Sequence, residues 1–358
     1  MNRLTALGGF DAKGPACFLL ETGTARIMLD FGRGPDGNAR PRLAGIGRVD
    51  AVLISHGHGD HTGSLDWLGR IGTPPVYATA PVRDLAEHPA LRAAKSLPHS
   101  GHVAGVELLT GPAGHAPGAV WIRLGGEGGL LYSGDYGAEG GLFACSDLPR
   151  AAVAVLDCSY GPSPETLPDQ RAALLDQIGD GPCLLPVPAA GRGLEIALAC
   201  LAAGREVAIC AQLRAVAELM AGRPNWLVTG AAARLRALLA RARRLDEDGA
   251  LCGIMLAAGP NCGSGAAERL GPRALHEGVP VILTGHLSRG APAVDWVASG
   301  RARRMSWNVH PDRATTGRML DQTGARHLMA AFIHPGGRET LRRAFPQGGW
   351  TGRGVIEW

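Results

Sequence analysis

The run Ser55-His56-Gly57-His58-Gly59-Asp60-His61 constrains the fold of this chain most, because it places four metal-ligating side chains within six residues. The residues before it, Ala51-Val52-Leu53-Ile54, form a short aliphatic run that predicts a buried β-strand. Imidazole nitrogens and carboxylate oxygens suit Zn²⁺ and similar cations. The sequence therefore predicts a metal site where a strand ends.

Two glycines inside this run are expected to shape the site. In an extended chain His61 would face away from the other three ligands, so one ion could not use all four. Gly57 and Gly59 permit unusual backbone angles, and we expect them to let the loop bend and divide its ligands between two ions. The run thus predicts half of a two-metal hydrolytic site. The alternative is a solvated histidine-rich turn.

Further segments repeat the design of a short apolar strand that stops at a residue able to bind a metal. They are residues 26–29 before Asp30, 129–134 before Asp135, 153–156 before Asp157 and 329–333 before His334. Side chains at strand ends gather along one edge of a sheet, where such sites form. Residues 81–94 and 165–178 have helical periodicity between the strands. The pattern predicts an α/β protein with a ligand-lined sheet edge.

The length of the chain predicts two domains or one large domain with an insertion, since 358 residues exceed the usual single-domain size of about 100 to 200. Between residues 162 and 303, strands alternate with helices, as in a parallel, doubly wound unit. Ligand-type residues resume only afterwards. We therefore expect a first domain in two parts, residues 1–161 and 304–358, with residues 162–303 inserted as a second α/β domain.

Composition excludes several classes of protein. No apolar run approaches the roughly 20 residues of a membrane span, and the N-terminal residues lack the pattern of a signal peptide, so we expect a cytoplasmic protein without a membrane partner. The eight cysteines form no C-x-x-C pair, which argues against a thiolate zinc site and a disulfide framework.

Four motifs resemble those of the metallo-β-lactamase superfamily, which includes lactamases, thioesterases, lactonases and nucleases. They contain Asp30 in Met28-Leu29-Asp30-Phe31-Gly32, the run of residues 56–61, His115 in Gly114-His115-Ala116-Pro117-Gly118-Ala119, and Asp135 in Tyr132-Ser133-Gly134-Asp135-Tyr136-Gly137. The resemblance implies the αββα sandwich of that superfamily.

Later motifs resemble the β-CASP nucleases, such as ribonuclease J and the endonuclease of mRNA 3′-end processing. Leu156-Asp157-Cys158-Ser159-Tyr160-Gly161 is similar to motif A, and residues 186–195 resemble the Pro-x-x-x-x-Gly-Arg-x-x-Glu segment. Motif B would contain His310, and motif C would contain His334. The inserted domain would then be a smaller, β-CASP-like α/β domain. Within that family a histidine at motif C is associated with RNA substrates, so His334 favours RNA.

The resemblance implies two Zn²⁺ ions per chain, with Mn²⁺ as the alternative metal. The first ion would be held by His56, His58 and His115, the second by Asp60, His61 and His334, and Asp135 would bridge them. Asp30 would orient the ligand histidines through hydrogen bonds.

The implied catalytic residues are Asp60, His310 and Asp157. A hydroxide between the two ions would attack phosphorus, and His310, positioned by Asp157, would protonate the leaving oxygen. Candidate phosphate contacts in the inserted domain are Arg192, Ser288 and Arg289.

Three functions are compatible with these residues. The first is a metal-dependent nuclease acting on single-stranded RNA, with single-stranded DNA as the other polymer. The second is a dinuclear-zinc hydrolase of a small substrate: a cyclic phosphodiester, a thioester or a lactone. The third is a silent nucleic-acid-binding or scaffold protein, against which the complete ligand set argues. A homodimer is compatible with the sequence.

Overall fold

The computed structural model describes all 358 residues. The strands, in chain order, are β1 (Arg3–Gly8), β2 (Cys17–Glu21), β3 (Arg26–Leu29), β4 (Ala51–Leu53), β5 (Val76–Ala78), β6 (Lys95–Ser96), β7 (Ser100–Val103), β8 (Val106–Pro112), β9 (Val120–Leu124), β10 (Leu130–Tyr132), β11 (Val153–Asp157), β12 (Cys183–Val187), β13 (Val207–Ile209), β14 (Arg243–Arg244), β15 (Ile254–Ala258), β16 (Ile282–Leu283), β17 (Arg303–Arg304), β18 (His327–Ala331) and β19 (Val355–Glu357). The α-helices are α1 (Gly59–Thr62), α2 (Ala80–Asp84), α3 (Pro89–Arg92), α4 (Leu167–Ile178), α5 (Arg192–Ala202), α6 (Ala211–Ala221), α7 (Ala231–Arg241), α8 (Gly265–His276), α9 (Pro292–Ala298), α10 (Arg313–Thr323) and α11 (Pro335–Ala344). Two 3₁₀ helices span Leu65–Ile71 and Pro224–Trp226.

The chain divides into two compact units. The first comprises residues 1–138, 145–164 and 310–358, and the second comprises residues 139–144 and 165–309. Residues 139–144 join the second unit because Phe143 forms a β-bridge with Leu227, and Val228 donates its backbone N–H to the carbonyl of Leu142. The boundaries expected from the sequence, 162 and 303, stay a prediction.

The first unit is a sandwich of two sheets. One sheet has seven strands in the order β19-β1-β2-β3-β4-β5-β6, and the other has six in the order β18-β11-β10-β9-β8-β7. Alternate residues of each strand face the partner sheet, since side chains in a strand alternate between faces. Phe18 of β2 and Tyr132 of β10 meet in this inner layer, with ring centroids 5.4 Å apart.

Helices cover the outer faces of both sheets. On the first sheet Met28 and Val52 point outward into a buried cluster with Leu91 of α3. On the second sheet Leu156 points outward and packs in a cluster with Met319 of α10. The two sheets therefore form an αββα sandwich, and the predicted fold class is confirmed.

Parallel strands explain why the polar strand ends gather at one edge. In the first sheet β3, β4 and β5 run parallel, and in the second β10, β11 and β18 run parallel. Strand β8 runs in the same direction as β10, because each is antiparallel to β9. The carboxyl ends of β3, β4, β8, β10, β11 and β18 carry the predicted ligand motifs.

One of the two helices predicted from the sequence differs from the structure. Within the predicted range 165–178, residues Leu167–Ile178 form α4, whose first turn is capped by the Thr166 hydroxyl accepting the N–H of Asp169. Residues 81–94 instead form two short helices, α2 and α3. Pro89 begins the second one. Because proline disfavours the helical conformation of the residue before it, one continuous helix cannot run through His88.

The second unit contains a parallel four-stranded sheet in the order β12-β15-β13-β14, which confirms the expected parallel α/β pattern. Strand β15 lies inside this sheet although the sequence analysis did not identify it. A separate pair, β16 and β17, is also parallel. None of the helices in this chain is both long and apolar enough to cross a membrane.

Candidate metal centre

The ligand run after β4 bends by a helical turn. Residues Gly59–Thr62 form α1, so Asp60 and His61 lie on one turn, whereas His56 and His58 precede it. Neither Gly57 nor Gly59 adopts a positive φ. The expectation that these glycines use unusual backbone angles is therefore wrong; the helical turn itself separates the ligands.

Three histidines converge in a first group with Asp135. His58 Nδ1 lies 3.1 Å from His56 Nε2 and 3.2 Å from His115 Nε2. Asp135 Oδ2 lies 3.5 Å from His115 Nε2 and 3.8 Å from His56 Nε2. Ligands about 2.1 Å from one tetrahedral ion are separated by about 3.4 Å, so these four atoms have the spacing that a single cation requires.

A second group shares Asp135 with the first. It consists of Asp60, His61 and Asp135, whose ligand atoms lie within 4.8 Å of one another. His61 Nε2 lies 3.2 Å from Asp135 Oδ1, and it is buried without a hydrogen-bond partner. A buried polar atom without a partner is costly unless something binds it. This nitrogen is therefore suited to a metal, and the donor set fits a divalent cation.

The carboxylate of Asp30 fixes the orientation of His61. Its Oδ2 lies 2.7 Å from His61 Nδ1, and the same oxygen accepts hydrogen bonds from Ser55 Oγ at 2.7 Å and Tyr132 Oη at 2.5 Å. Asp30 is fully buried and has a left-handed backbone, with φ of 57°. These contacts are compatible with the orienting role that the resemblance implies for Asp30, since a ligand histidine needs a partner on its other nitrogen, and that role stays a prediction.

Gly134 brings Asp135 to the centre. Its φ is +55°, and a Cβ added there would lie 2.8 Å from Ser55 Cβ. A side chain would be strained by this backbone conformation and would also collide with the ligand loop. Only glycine lets the end of β10 approach the end of β4 so closely.

The pKa values of His56 and His61 are shifted in opposite directions. Burial lowers the pKa of His56 well below its usual value, and the neighbouring His61 and His58 add to the effect. Burial also disfavours a charged His61, but the carboxylates of Asp135 and Asp30 raise its pKa well above the usual value. A cation bound by these residues would therefore have to displace a proton from His61 more than from His56.

Asp135 remains a carboxylate. Burial opposes ionisation, but the imidazoles of His61, His310 and His115 hold the pKa of Asp135 well below its usual range. The residue thus presents two anionic oxygens, Oδ2 towards the first group and Oδ1 towards His61.

A third group joins Asp135 to Asp157 and His310. His310 Nδ1 lies 2.8 Å from Asp157 Oδ2 and 3.8 Å from Asp135 Oδ2. Asp157 is fully buried, and its carboxylate accepts the N–H and hydroxyl of Ser159 and the N–H of Tyr136. The imidazole of His310 is therefore held by an anchored carboxylate.

The structure leaves one predicted ligand and three predicted phosphate contacts outside these groups. His334 is exposed, precedes α11 and lies in none of the three groups. Its place on the second ion stays a prediction. Arg192, Ser288 and Arg289 belong to the second unit, where Ser288 is held by Asn261 and Arg192 by the hydroxyl of Thr284. Their role in phosphate binding also stays a prediction.

Two contributors to the site were missed from the sequence. The ring of Tyr160 stacks on His310, with centroids 5.4 Å apart and planes 27° apart. Lys13 is held in the field of Asp135 and Asp60; burial opposes the charge, but these carboxylates raise the pKa of the ammonium. A sequence feature could have identified each of them: Tyr160 follows the acidic residue of motif A, and Lys13 is one of only two lysines in the chain.

Comparison with known proteins agrees with this geometry. Residues 11–182 match the metallo-beta-lactamase superfamily. The chain is 30% identical over 244 residues to a transcription termination factor, FttA, of Methanothermobacter thermautotrophicus, covering 54% of this chain and 38% of the relative. It is 28% identical to an RNase J-like protein of Methanocaldococcus jannaschii, over 53% of this chain and 52% of the relative. It is 33% identical to a ribonuclease of Thermus thermophilus, over 50% of each.

The matched region thus spans about half or less of these relatives' length. A crystal structure of a protein of unknown function from Enterococcus faecalis has a similar fold, with a TM-score of 0.61 and 14% identity over 99% of both chains. The interpretation of the motifs is confirmed: residues 11–182 match the metallo-β-lactamase superfamily, and the chain is similar to proteins named as an RNase J-like protein and a ribonuclease.

Proposed function

We propose that this protein is a metal-dependent phosphodiester hydrolase that cleaves single-stranded RNA. The observation that carries the proposal is the sharing of Asp135 by three groups of polar side chains: two that can hold cations and one, with Asp157 and His310, that can move a proton. A hydrolase of phosphodiesters needs both functions, because charge must be neutralised at phosphorus and the leaving oxygen must be protonated.

Two zinc ions would be held by the first two groups, with Asp135 between them, and Mn²⁺ is the alternative. Two cations near one water molecule lower its pKa and neutralise charge on the reacting phosphate. His334 would complete the second set. It follows β18, whose carboxyl end lies beside that of β11. Removal of this histidine tests the assignment, since His334→Ala should lower the zinc content measured by mass spectrometry from about two ions per chain to about one.

The remaining residues of the site would donate a proton or orient other side chains. His310 would donate a proton to the leaving oxygen, and Asp157 keeps its ring oriented through Nδ1. Asp30 orients His61 from the side opposite Asp135. Tyr160 limits the rotation of the His310 ring by stacking on it.

RNA is the proposed substrate because two of the relatives are named as a ribonuclease and an RNase J-like protein, and a third is named as a transcription termination factor. A histidine at the motif C position, His334, agrees with RNA. We extend these names to this chain as a proposal, together with the cytoplasmic location that an RNA substrate fits.

A parallel cleavage assay tests the function. The zinc-loaded protein is incubated with single-stranded RNA, single-stranded DNA of the same sequence and bis(4-nitrophenyl) phosphate. We expect RNA cleavage that a chelator abolishes and that falls by a factor of about 100 or more in His56→Ala. The matched control is His102→Ala, an exposed histidine of β7 outside every group. RNA cleavage that survives His56→Ala would overturn the proposal, as would turnover of small esters alone.

A further inference from the structure

The second unit contains a cavity of about 510 Å³ that the proposed chemistry does not use. It is lined by α4, α5 and α7, all of which belong to this unit. Leu198 of α5 contributes to an apolar wall, and the buried ring of Trp307 forms another part. Pockets of roughly 300 to 1,000 Å³ with apolar walls and a few polar groups are typical of small-molecule sites.

Glu195 is the polar group inside this cavity. Its side chain is more than nine-tenths buried, with 7% of the residue exposed. Oε1 is buried and has no hydrogen-bond partner, while Oε2 accepts one long bond, 3.4 Å, from Trp307 Nε1. A buried carboxylate left with an unused acceptor is costly unless a donor reaches it. The lining of the cavity therefore contains a carboxyl group with one oxygen that no donor of the protein uses and one that accepts a single long hydrogen bond.

Three arginines line the same cavity as Glu195. Arg171 comes from α4, and Arg234 and Arg241 come from α7; all three line the cavity and are exposed at the residue level. Arg234 also donates to the carbonyl of Gly141, which holds its side chain in place. Guanidinium groups bind phosphate strongly because their N–H donors match its oxygens. The arginines at the rim therefore suit an anionic group of a ligand. The interior suits an apolar part of the same ligand that carries hydrogen-bond donors.

We propose that this cavity binds a guanine nucleotide, in the form of a nucleoside monophosphate. Guanine carries two neighbouring N–H donors on one edge, which match the two oxygens of Glu195, and its flat ring suits the apolar walls. The phosphate of the same molecule would meet the arginine rim. None of the residues that line the cavity belongs to the groups of the metal centre, and the test of the proposal needs no catalytic activity.

The test measures binding of GMP to the zinc-loaded full chain by isothermal titration calorimetry. Guanosine lacks the phosphate and inorganic phosphate lacks the base, so each should bind at least about tenfold more weakly than GMP. AMP has no matching pair of donors and should also bind about tenfold more weakly. A short oligoribonucleotide that ends in guanosine phosphate distinguishes a free nucleotide from the end of an RNA chain; equal affinity would place the RNA end in the cavity.

Variants locate the site. Glu195→Gln and Arg241→Ala should each weaken GMP binding about tenfold. Arg236→Ala is the matched control, because Arg236 lies on α7 but outside the cavity lining, and it should change the affinity less than twofold. Circular dichroism checks each fold; if Glu195→Gln is misfolded, Arg241→Ala decides the question.

Three results would overturn the inference: no saturable GMP binding at millimolar concentration, unchanged affinity in Arg241→Ala, or AMP bound as tightly as GMP. The His56→Ala variant separates the two proposals. It should retain GMP binding while losing RNA cleavage, and loss of GMP binding in that variant would instead place the nucleotide at the metal centre.

Discussion

His61 Nδ1 lies 2.7 Å from Oδ2 of Asp30, and both side chains are buried in the first unit. The contact turns the opposite nitrogen of the ring, Nε2, towards Asp135 at 3.2 Å. The same Asp30 also accepts the backbone N–H of Ser55 at 2.7 Å, at the start of the ligand run. One carboxylate thus positions both His61, a predicted metal ligand, and the loop that carries it.

Replacement of Asp30 by asparagine should therefore weaken metal binding. The amide keeps the shape but loses the charge, and its NH₂ group, itself a donor, would face donors from which a carboxylate oxygen of Asp30 accepts. We expect zinc affinity to fall about 10- to 100-fold, measured by competition with a chromogenic chelator. Asp66→Asn, an exposed aspartate paired with Arg40, should leave the affinity unchanged. Equal zinc affinity in both variants would rule out the orienting role.

Removal of the His310 imidazole should slow RNA cleavage by a factor of about 100 or more while the metal content stays the same. The reason is the loss of the proton donor, not of a ligand. A 4-nitrophenolate leaving group needs no proton, so cleavage of bis(4-nitrophenyl) phosphate by His310→Ala should fall far less than cleavage of RNA. If both substrates are slowed equally, or if zinc content drops, His310 has another role.

A methyl group at Gly134 should disturb the centre directly. Gly134→Ala combines a strained positive φ with a Cβ contact of 2.8 Å to Ser55, and we expect a loss of about 1 to 3 kcal/mol of stability together with weaker zinc binding. Gly128→Ala places its methyl group in open space and serves as the control. Thermal denaturation and zinc titration measure both effects; a Gly134→Ala protein indistinguishable from Gly128→Ala would contradict the packing argument.

The buried Glu195 should make stability depend on pH. Burial raises its pKa from 4.5 to about 7, although the hydrogen bond from Trp307 opposes the shift. The folded protein thus holds the proton more tightly than the unfolded chain, so this contribution is fully present below about pH 4.5, is lost as the pH rises towards 7, and is constant above that.

Relative to Glu195→Gln, the parent protein should therefore lose about 2 to 3 kcal/mol of stability between pH 5 and pH 8. Thermal midpoints at both pH values, without nucleotide, measure the difference. The exposed Glu218→Gln variant should follow the parent protein at both. A parent protein and Glu195→Gln with parallel pH profiles would show that the carboxyl titrates normally.

Much of the fold could be predicted because its signals are local. The aliphatic run before Asp30 forms β3, and the run before Asp157 forms β11, as the alternation of apolar strand and polar end indicated. Helix α4 was predicted from periodicity over residues 165–178. Two local predictions were wrong. Pro89 divides the helix expected at residues 81–94 into two, and the ligand run turns through α1 instead of through a bend at its glycines.

The sequence by itself determined which residue types end which strands, because strand period and ligand chemistry belong to a few adjacent residues. Only the tertiary structure decided which of them meet. His115 reaches His58 across 57 residues, Asp30 reaches Tyr132 across 102, and His310 reaches Asp157 across 153. Residues this far apart in sequence meet because parallel strands of two packed sheets end at the same edge. The cavity around Glu195 arises in the same way, from three helices whose facing sides no local pattern specifies.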